Sequence, residues 1–374
     1  MKVIMVSSLA YPPYVGGVQS HVWEISKRLV KKGFDVEIYS TDPLGRLGRI
    51  TEVDDIKIRR FPSFAPNGIY FLSRELYSAL KNAHADIIHS HGYQGFPMLA
   101  SALAKVQNGI PLIVTLHCGF RKVGGLPYLI YDSLFGRIIF HRSDRIIIVS
   151  PIEMELIGEL LKVKEKIRLV PNGVDLKEIS SYSTQMRERS SQSPVKLLFA
   201  GRLEKKKGLV FLVKAFREIA HRDVELSIVG DGPFKQELVR FIRSLKLQDK
   251  VRVKERLTQA ELYELYAESH IFVLASEFEA HSIALTEAMA FGLVPVVTNV
   301  GGNKYLVLDG VDGFLLKKYP PDIRELSNVL LQLVDNRELM GRMSENAIRE
   351  AQQFDIDRVV EHLGMMYQSI GRKD

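Results

Sequence analysis

The chain has 374 residues, of which 46% are hydrophobic and 25% are charged, and its net charge is +7. These fractions are typical of a soluble globular protein, and the length exceeds the size at which one hydrophobic core stops growing, so we expect two domains. The single cysteine, Cys118, excludes an internal disulfide, and no uninterrupted apolar stretch is long enough to cross a bilayer. Residues 1–6 predict a strand rather than a signal peptide, and we therefore expect a cytoplasmic protein.

The positive charge raises the question of nucleic acid binding. The sequence has no RNP, helix-turn-helix or zinc-finger pattern, and its basic residues are scattered, as at Arg202, Arg240, Arg252 and Arg256, rather than lining one helix. Small phosphorylated ligands or anionic lipid headgroups explain the charge equally well. We expect no nucleic acid partner.

Short apolar runs alternate with amphipathic segments along the whole chain. The predicted strands are 3–6, 36–39, 87–89, 112–116, 146–149, 196–200, 225–229, 271–275 and 295–298. Helical periodicity predicts helices over 20–32, 210–220 and 259–267. This alternation is typical of parallel sheets built from βαβ units, so the predicted fold class is α/β.

One segment breaks the alternation. Residues 180–194 are rich in serine, lack periodicity and end in a proline, which is typical of an interdomain linker. We therefore predict one domain over 1–185 and a second over 194–354.

The first predicted domain contains a glycine pair, Gly16 and Gly17, between its first strand and first helix. Paired glycines let the backbone approach a ligand closely, and the start of a helix favours phosphate. The pair is not part of a G-x-G-x-x-G motif, which argues against a nicotinamide dehydrogenase.

Three histidines follow strand ends in the same half: His89, His91 and His117. They could make a zinc site, but no water-positioning partner or recognisable zinc motif accompanies them, so we expect no metal. Segment 120–142 mixes apolar and basic residues and has two interpretations. It is a core-packing helix, which we favour, or a surface that docks on a membrane or binds an apolar acceptor.

The second half opens with a basic loop, from Gly201 to Gly208, between a strand and a helix. Arg202 offers a planar donor fork and Lys207 a mobile charge, and together they could neutralise a diphosphate. A solvated basic loop is the alternative, and chemistry alone does not separate Lys207 from Lys206. Gly230 lies in another glycine turn at a strand end and is a candidate ligand-binding residue.

Two glutamates, Glu279 and Glu287, are placed by a strand–loop–helix pattern over 271–292. The pattern puts Glu279 at the carboxyl end of a strand and Glu287 one to two turns into the helix, facing the crevice where open α/β sheets bind ligands. Carboxylates there accept hydrogen bonds from sugar hydroxyls, and the N–H groups near Ser282, Ile283 and Ala284 suit an anion. The alternative is that Glu279 caps the helix and Glu287 is solvated.

Taken in order, these motifs resemble the retaining glycosyltransferases of family 4. The resemblance covers essentially the whole chain and is carried by motifs that are weak singly: Gly16-Gly17, His117, Val-Pro-Asn-Gly-Val-Asp at 170–175, Gly201-Arg202, Lys207-Gly208, Val-Gly-Asp-Gly-Pro at 229–233, Glu279 with Glu287-Ala-Met-Ala-x-Gly292, and Gly301-Gly302. It implies the GT-B fold, with two Rossmann-like doubly wound domains facing a central cleft and a last helix, about 355–374, that crosses back to the first domain. It also implies that the first domain binds the acceptor and the second binds the donor.

The resemblance implies transfer of a hexose from a UDP- or GDP-sugar to a lipid or saccharide acceptor, with retention at the anomeric carbon and without a metal. The residues matching Arg202 and Lys207 hold the donor diphosphate, which selects Lys207 over Lys206. Those matching Glu279 and Glu287 bind the transferred sugar and the ribose, and the match to His117 lies at the reacting centre.

The chain also departs from the family pattern. Where the family has Glu-Gly-Phe-Gly, this chain has Glu279-Ala280-His281-Ser282, which restricts the loop and adds a titratable group beside the donor site. Tyr305 occupies a usually acidic position. These departures leave base and sugar identity open.

Two other functions remain compatible with the residues alone. One is a nucleotide-sugar epimerase of the same fold, and the other is a catalytically degenerate glycan-binding protein. Peripheral contact with the inner membrane face is a further expectation, drawn from segment 120–142.

Overall fold

The computed structural model describes residues 1–14, 16–66, 70–93, 95–117, 131–189, 194–255 and 257–371. Cys118, residues 120–130 of the apolar and basic segment, residues 190–193 of the expected linker and Arg256 lie outside these ranges. The chain forms two compact units. The first unit comprises residues Met1–Asn172 and Ile356–Asp374, and the second comprises Gly173–Asp355.

The first unit is built on an eight-stranded sheet in the order β3-β4-β2-β1-β5-β6-β7-β8. Its strands are β1 (Lys2–Ser7), β2 (Asp35–Asp42), β3 (Ile50–Val53), β4 (Ile56–Pro62), β5 (Ile87–His91), β6 (Leu112–Thr115), β7 (Arg145–Ile148) and β8 (Ile167–Leu169). Its helices are α1 (Gly17–Lys31), α2 (Arg74–Lys81), α3 (Phe96–Asn108), α4 (Arg137–Arg142), preceded by a π-helical turn at Asp132–Gly136, and α5 (Ile152–Leu156), followed by a 3₁₀ segment at Gly158–Lys166.

The central strand of this sheet is β1, which pairs in parallel with β2 on one side and β5 on the other. Val3 lies opposite Val36 and Ile87 in that register. All three side chains are almost fully buried, because helices cover both faces of a parallel sheet and its strands must be apolar on both sides.

The carboxyl-terminal helix α14 (Ile356–Gly371) belongs to the first unit and packs against α1. Val360, Leu363 and Tyr367 share a hydrophobic core with residues of α1 such as Ile25. Arg28 Nε donates to Asp357 at 3.2 Å, so a partly exposed ion pair adds to the packing.

The second unit is built on a six-stranded parallel sheet in the order β11-β10-β9-β12-β13-β14. Its strands are β9 (Val195–Ala200), β10 (Val224–Val229), β11 (Val251–Lys254), β12 (Ile271–Leu274), β13 (Val294–Thr298) and β14 (Phe314–Leu316). Its helices are α6 (Leu176–Ser180), α7 (Ser183–Arg189), α8 (Leu209–Ile219), α9 (Lys235–Ser244), α10 (Gln259–Glu268), α11 (Ile283–Ala290), α12 (Ile323–Asp335) and α13 (Arg337–Ala351), with 3₁₀ turns at Lys205–Lys207, Asn303–Tyr305 and Gln352–Phe354.

Local sequence explains where several of these helices begin. Thr258 accepts from the Glu261 N–H while the Glu261 carboxylate accepts from the Thr258 N–H, a capping box at the start of α10. Asp322 caps α12 in the simpler way, by accepting from Arg324 N–H. None of the helices in the described ranges is both long enough and apolar enough to span a bilayer.

The predicted parallel α/β architecture is confirmed, and each of the nine predicted strands corresponds to a strand of the structure. The expected linker is different, because residues 176–180 and 183–189 form α6 and α7 of the second unit. The first unit accordingly ends at Asn172 rather than near 185. Five strands within the described ranges are not among the nine predicted: β3, β4, β8, β11 and β14. Of these, β3 pairs with β4 in the antiparallel direction.

Glycine at position 208 should be required for the stability of the second unit. Gly208 and Gly109 share a φ of 69°, but a Cβ at Gly208 would lie 1.8 Å from the carbonyl oxygen of Ala275, whereas a Cβ at Gly109 would meet nothing within 4 Å. Both alanine variants incur the strain of a left-handed residue, and only Gly208→Ala adds a backbone clash. We expect the melting temperature to fall much further for Gly208→Ala than for Gly109→Ala, and equal losses would contradict the close approach.

Candidate active site

The carboxyl edge of the second sheet has a point where the chain changes the direction in which it adds strands. From β9 the chain continues to β10 and β11 on one side, and then returns to place β12, β13 and β14 on the other. The adjacent strands β9 and β12 therefore flank a topological switch point. Open α/β sheets bind their ligands at such points, outside the carboxyl ends of the strands.

The loops that leave these strands contact one another through their backbones. Glu277 N–H donates to the Lys206 carbonyl at 2.8 Å, which joins the loop after β12 to the loop after β9. On the other side, Gly201 N–H donates to the Val229 carbonyl at 3.0 Å, and a Cβ at Gly230 would lie 1.9 Å from the Gly201 carbonyl oxygen. Without a Cβ, Gly230 lets the loop after β10 join the same edge, and its binding role stays a prediction.

Lys207 and Glu279 form an ion pair across the switch point. The Lys207 Nζ lies 2.6 Å from Glu279 Oε1, and only 20% and 11% of the two side chains are exposed. A contact this short between charged groups is a strong, charge-assisted hydrogen bond. The predicted residues Lys207 and Glu279 are thus brought together by the structure.

The other basic residues of the loop have different partners. Arg202 Nε lies 2.8 Å from Glu204 Oε1, and Lys206 Nζ lies 2.9 Å from Glu204 Oε2. The Arg202 and Lys206 side chains are 71% and 46% exposed, whereas Glu204 is 16% exposed. Geometry therefore separates Lys207 from Lys206, which chemistry alone could not do. The organising role of Glu204 was not predicted, although a single acid in a loop with four basic residues and two glycines is a usable signal.

The backbone of Glu279 is held by the glycine pair after β13. Gly302 N–H donates to the Glu279 carbonyl at 2.7 Å, and a Cβ at Gly301 would lie 2.0 Å from the same oxygen. Gly301 has a φ of 54°, in the left-handed region that favours glycine. The pair Gly301-Gly302 thus fixes the residue whose carboxylate contacts Lys207, a role that sequence reasoning did not assign.

The helix α11 begins at Ile283, directly after this loop. Ser282 is its N-cap and its hydroxyl accepts from Leu285 N–H at 3.3 Å, so Ser282 rather than Glu279 caps the helix. Ile283 and Ala284 are its first two residues, and N–H groups in the first turn have no acceptor within the helix. His281 is buried, with its ring 5.3 Å from the ring of Phe354.

Glu287 lies one turn into α11 and faces α10. Its Oε1 lies 3.5 Å from the hydroxyl oxygen of Tyr263, at the outer limit of a hydrogen bond. Burial, followed by the charge of Glu287, raises the pKa of Tyr266 well above its usual value. Glu287 is thus partly buried beside two tyrosine hydroxyls rather than fully solvated.

The first unit carries the remaining predicted residues at its own carboxyl edge. Gly16 and Gly17 begin α1 after β1, and Ser20 N–H donates to the Gly16 carbonyl at 2.9 Å. His117 follows β6 with a φ of 51°, an unusual conformation for a side chain larger than glycine and one that concentrates at functional sites.

The histidines of this unit form two arrangements. His89 Nδ1 lies 2.6 Å from the Tyr367 hydroxyl and its Nε2 lies 2.7 Å from the Thr115 hydroxyl. His91 Nδ1 lies 3.2 Å from His117 Nε2, and the ring of His21 lies 5.1 Å from that of His117.

Burial lowers the pKa of His21 to about 4 and that of His89 to about 3, and the pKa of His91 also lies well below its ordinary value, mainly because of burial. His21 was not predicted to belong with the other histidines. The sequence contains no signal for it, because His91 and His117 follow other strands and the order of strands in the sheet is visible only in the structure.

The apolar and basic segment is described only from residue 131 onward. Tyr131, Ile139 and Phe140 are buried, whereas Leu134 is 57% exposed. The Tyr93 hydroxyl donates to the buried Asp132 at 2.8 Å. This part of the segment packs into the first unit, as the favoured interpretation expected.

Two family models match the chain. The model described as "Glycosyltransferase Family 4" matches residues 15–178, and the model described as "Glycosyl transferases group 1" matches residues 183–350. The chain is a family 4 glycosyltransferase of the GT-B fold. Its two Rossmann-like units belong to that fold.

Similar proteins support the same family. The enzyme is 27% identical to N-acetyl-alpha-D-glucosaminyl L-malate synthase of Bacillus anthracis, over 97% of this chain and 96% of that protein. It is 26% identical to GDP-mannose:cellobiosyl-diphosphopolyprenol alpha-mannosyltransferase of Xanthomonas oryzae, over 85% and 84%. Among solved structures, sucrose-phosphate synthase of Thermosynechococcus elongatus aligns with a TM-score of 0.79 at 19% identity, covering 99% and 98% of the two chains. The structure of Anabaena HepE with UDP and glucose aligns with a TM-score of 0.77 at 20% identity, covering 99% and 100%.

The buried histidines should make the stability of the enzyme depend on pH. The pKa of His21 is about 4 in the folded chain, below its ordinary value of 6.5, so the unfolded chain binds more protons between these values. Stability is therefore highest above pH 6.5 and falls as the pH drops towards 4, by at most about 1.4 kcal/mol per pH unit for each such group. We expect the melting temperature of His21→Gln to fall less steeply over this window than that of the wild type, with exposed His84→Gln as control. An unchanged slope in His21→Gln would contradict the burial of a neutral imidazole.

Proposed function

We propose that the enzyme transfers a hexose from a UDP- or GDP-sugar to a lipid or saccharide acceptor, with retention at the anomeric carbon and without a metal. The observation that carries the proposal is the Lys207–Glu279 pair at the switch point of the second sheet. A cation there suits a diphosphate, and the carboxylate beside it suits the hydroxyls of a sugar. In this proposal the second unit binds the donor and the first binds the acceptor.

Each predicted residue has a role in this proposal. Arg202 and Lys207 hold the donor diphosphate, and fixed cations stabilise the charge that develops on it as the glycosidic bond breaks. Glu279 binds hydroxyls of the transferred sugar, and Glu287 binds the ribose. The N–H groups at the start of α11, at Ser282, Ile283 and Ala284, face the anionic donor.

The exposure of Arg202 supports its role. Its side chain is 71% exposed and contacts only the loop's own Glu204 among the ion pairs of the described residues, so it can turn to an incoming diphosphate. Lys207 supplies a second positive charge, which its ion pair with Glu279 already holds in place. A diphosphate carries more negative charge than one carboxylate, so donor binding draws Lys207 towards the phosphates and frees Glu279 for hydroxyls.

In this proposal His117 lies at the reacting centre. Gly16 and Gly17 let the backbone of the first unit approach a ligand closely. The strained φ of His117 supports a functional role, because the backbone holds that ring where a relaxed residue would not place it. His281 occupies a position beside the donor loop where the family has an apolar phenylalanine, and we propose that its polar ring contributes to sugar specificity. The leaving phosphate itself accepts the acceptor proton in this proposal, on the same face of the sugar.

The names of relatives support both UDP-sugars and GDP-sugars as donors. The Xanthomonas oryzae relative is named for GDP-mannose, and a relative from Escherichia coli, 26% identical, is named for UDP-Gal and a diphosphoundecaprenol acceptor. We propose accordingly that the enzyme works in the cytoplasm at the inner membrane face when its acceptor is a lipid.

Adjacent lysines of the basic loop allow a matched test. The donor is first chosen as the UDP-, GDP- or ADP-sugar that most raises the melting temperature. We then expect Lys207→Ala to reduce transfer by about a hundredfold or more, because it removes a charge from the leaving group. Lys206→Ala should remain within about twofold of wild type, since its exposed side chain pairs with Glu204. Equal activity of the two variants would contradict the proposal.

A double variant separates function from fold. Lys207→Ala leaves Glu279 mostly buried without its cation, which destabilises the loop. Lys207→Ala/Glu279→Ala removes that unpaired charge, so its melting temperature should recover while transfer stays lost. Recovery of transfer in the double variant would mean that the pair is structural only.

Proton NMR of the wild-type product reports the anomeric configuration, which we expect to match that of the donor.

A further inference from the structure

Three histidines of the first unit converge at one point. His21, His91 and His117 each offer a ring nitrogen, and these three nitrogens lie within 4.8 Å of one another. Within this set, His91 Nδ1 is 3.2 Å from His117 Nε2. Among the described residues, this is the group of histidine, cysteine and acidic side chains whose geometry suits a metal ion.

The three side chains come from separate elements that the sheet brings together. His21 lies in the second turn of α1, His91 is the last residue of β5, and His117 follows β6. Because β1 is hydrogen-bonded to β5 and β5 to β6, the carboxyl ends of these strands are neighbours. The cluster therefore sits at the switch point of the first sheet, between β1 and β5, on rigid elements.

We propose that His21, His91 and His117 form a binding site for a divalent transition-metal ion, with Zn²⁺ as its first candidate. Zinc binds imidazole nitrogens at 2.0–2.1 Å in tetrahedral geometry, which places two such ligands about 3.3 Å apart. The separation between the His91 and His117 nitrogens already approaches that spacing. Three protein ligands leave the fourth position to water, as in open zinc sites.

Burial of the rings supports the site. His21 is 6% and His91 1% exposed, and His21 Nδ1 has no hydrogen-bond partner among the described residues. A buried polar nitrogen without a partner costs free energy, and coordination of an ion by the His21 ring compensates for that cost. Burial also keeps these imidazoles neutral, the state in which histidine binds a metal.

His117 lies on the side from which an ion can enter the site, and His89 packs behind the site. His117 is only partly buried, so an ion can reach the cluster from its side. The ring of His89 lies 4.1 Å from that of His91, but both of its nitrogens are hydrogen-bonded, to Tyr367 and Thr115. His89 therefore backs the site and is not one of its ligands. An all-imidazole site suits zinc, copper or nickel rather than magnesium or calcium.

An ion bound in this site is coordinated by a ring nitrogen of His117. This consequence for activity rests on the proposed function, which puts His117 at the reacting centre. We therefore expect zinc to inhibit transfer rather than to support it.

Direct binding tests the site independently of activity. The full chain without a polyhistidine tag is titrated with Zn²⁺ in competition with a chromogenic chelator. We expect one ion per chain, and a loss of affinity of about tenfold or more in His21→Gln and in His91→Gln. His84→Gln, which removes an exposed histidine of the same unit, should bind zinc as the wild type does. Absence of stoichiometric binding, or unchanged affinity in His21→Gln, would overturn the proposal.

A second measurement needs no variant, which matters because His91 is fully buried and its substitution threatens folding. Co²⁺ replaces Zn²⁺ in such sites, and its visible absorption reports nitrogen ligands in tetrahedral geometry. We expect that spectrum in the wild type and its loss on adding Zn²⁺, while Mg²⁺ leaves it unchanged. A spectrum of octahedral, aquated Co²⁺ would contradict the site.

Inhibition separates this inference from the proposed function. Zinc should lower the transfer rate of the wild type, a chelator should restore it, and His21→Gln should need at least about ten times more zinc for the same effect. Equal zinc sensitivity in His21→Gln would contradict the site. Stoichiometric binding without inhibition would uphold the site and contradict the role of His117 in transfer.

Discussion

The ion pair between Lys207 and Glu279 depends on a close approach of two loops that are far apart in the chain. The residues are 72 positions apart and come from the loops after β9 and β12. Those loops meet because Gly208 has no Cβ, which would otherwise lie 1.8 Å from the Ala275 oxygen. A Cβ at Gly301, in the loop after β13, would likewise lie 2.0 Å from the Glu279 oxygen. Backbone contact, more than side-chain flexibility, therefore sets where the cation and the carboxylate lie. A site fixed in this way is preorganised for charge that develops during a reaction.

The two units use the same sheet geometry to different chemical ends. In each, side chains from elements that follow neighbouring parallel strands meet at a switch point. The second unit places charged groups there, which suit a diphosphate and hydroxyls. The first unit places imidazoles, and burial lowers the pKa of His21 and His91, so these rings are neutral near pH 7. Neutral rings can accept a proton or bind a transition-metal cation, whereas the charged pair suits phosphate and hydroxyl groups.

Much of the fold could be predicted from the sequence, because buried parallel strands are continuous apolar runs with turn residues at their ends. The prediction failed where tertiary packing decides: residues 183–189 of the serine-rich segment form a helix in the second unit, and the short strand β3 forms by pairing with β4. Within the site, chemistry alone could not separate Lys207 from Lys206. The family resemblance selected Lys207, and the position of Glu279 supplies the physical difference between the two lysines. His21 was missed for a related reason. Its partners follow other strands, and strand order is not visible in one sequence.

A crystal structure of the enzyme with its nucleotide sugar shows directly whether Lys207 and Glu279 bind the donor. We expect a diphosphate oxygen within about 3 Å of Lys207 Nζ and a hydroxyl of the transferred sugar within hydrogen-bond distance of Glu279. The ribose should lie near Glu287. A nucleotide sugar bound with its diphosphate away from Lys207, and with Glu279 still paired to that lysine, would contradict the proposed roles of both residues.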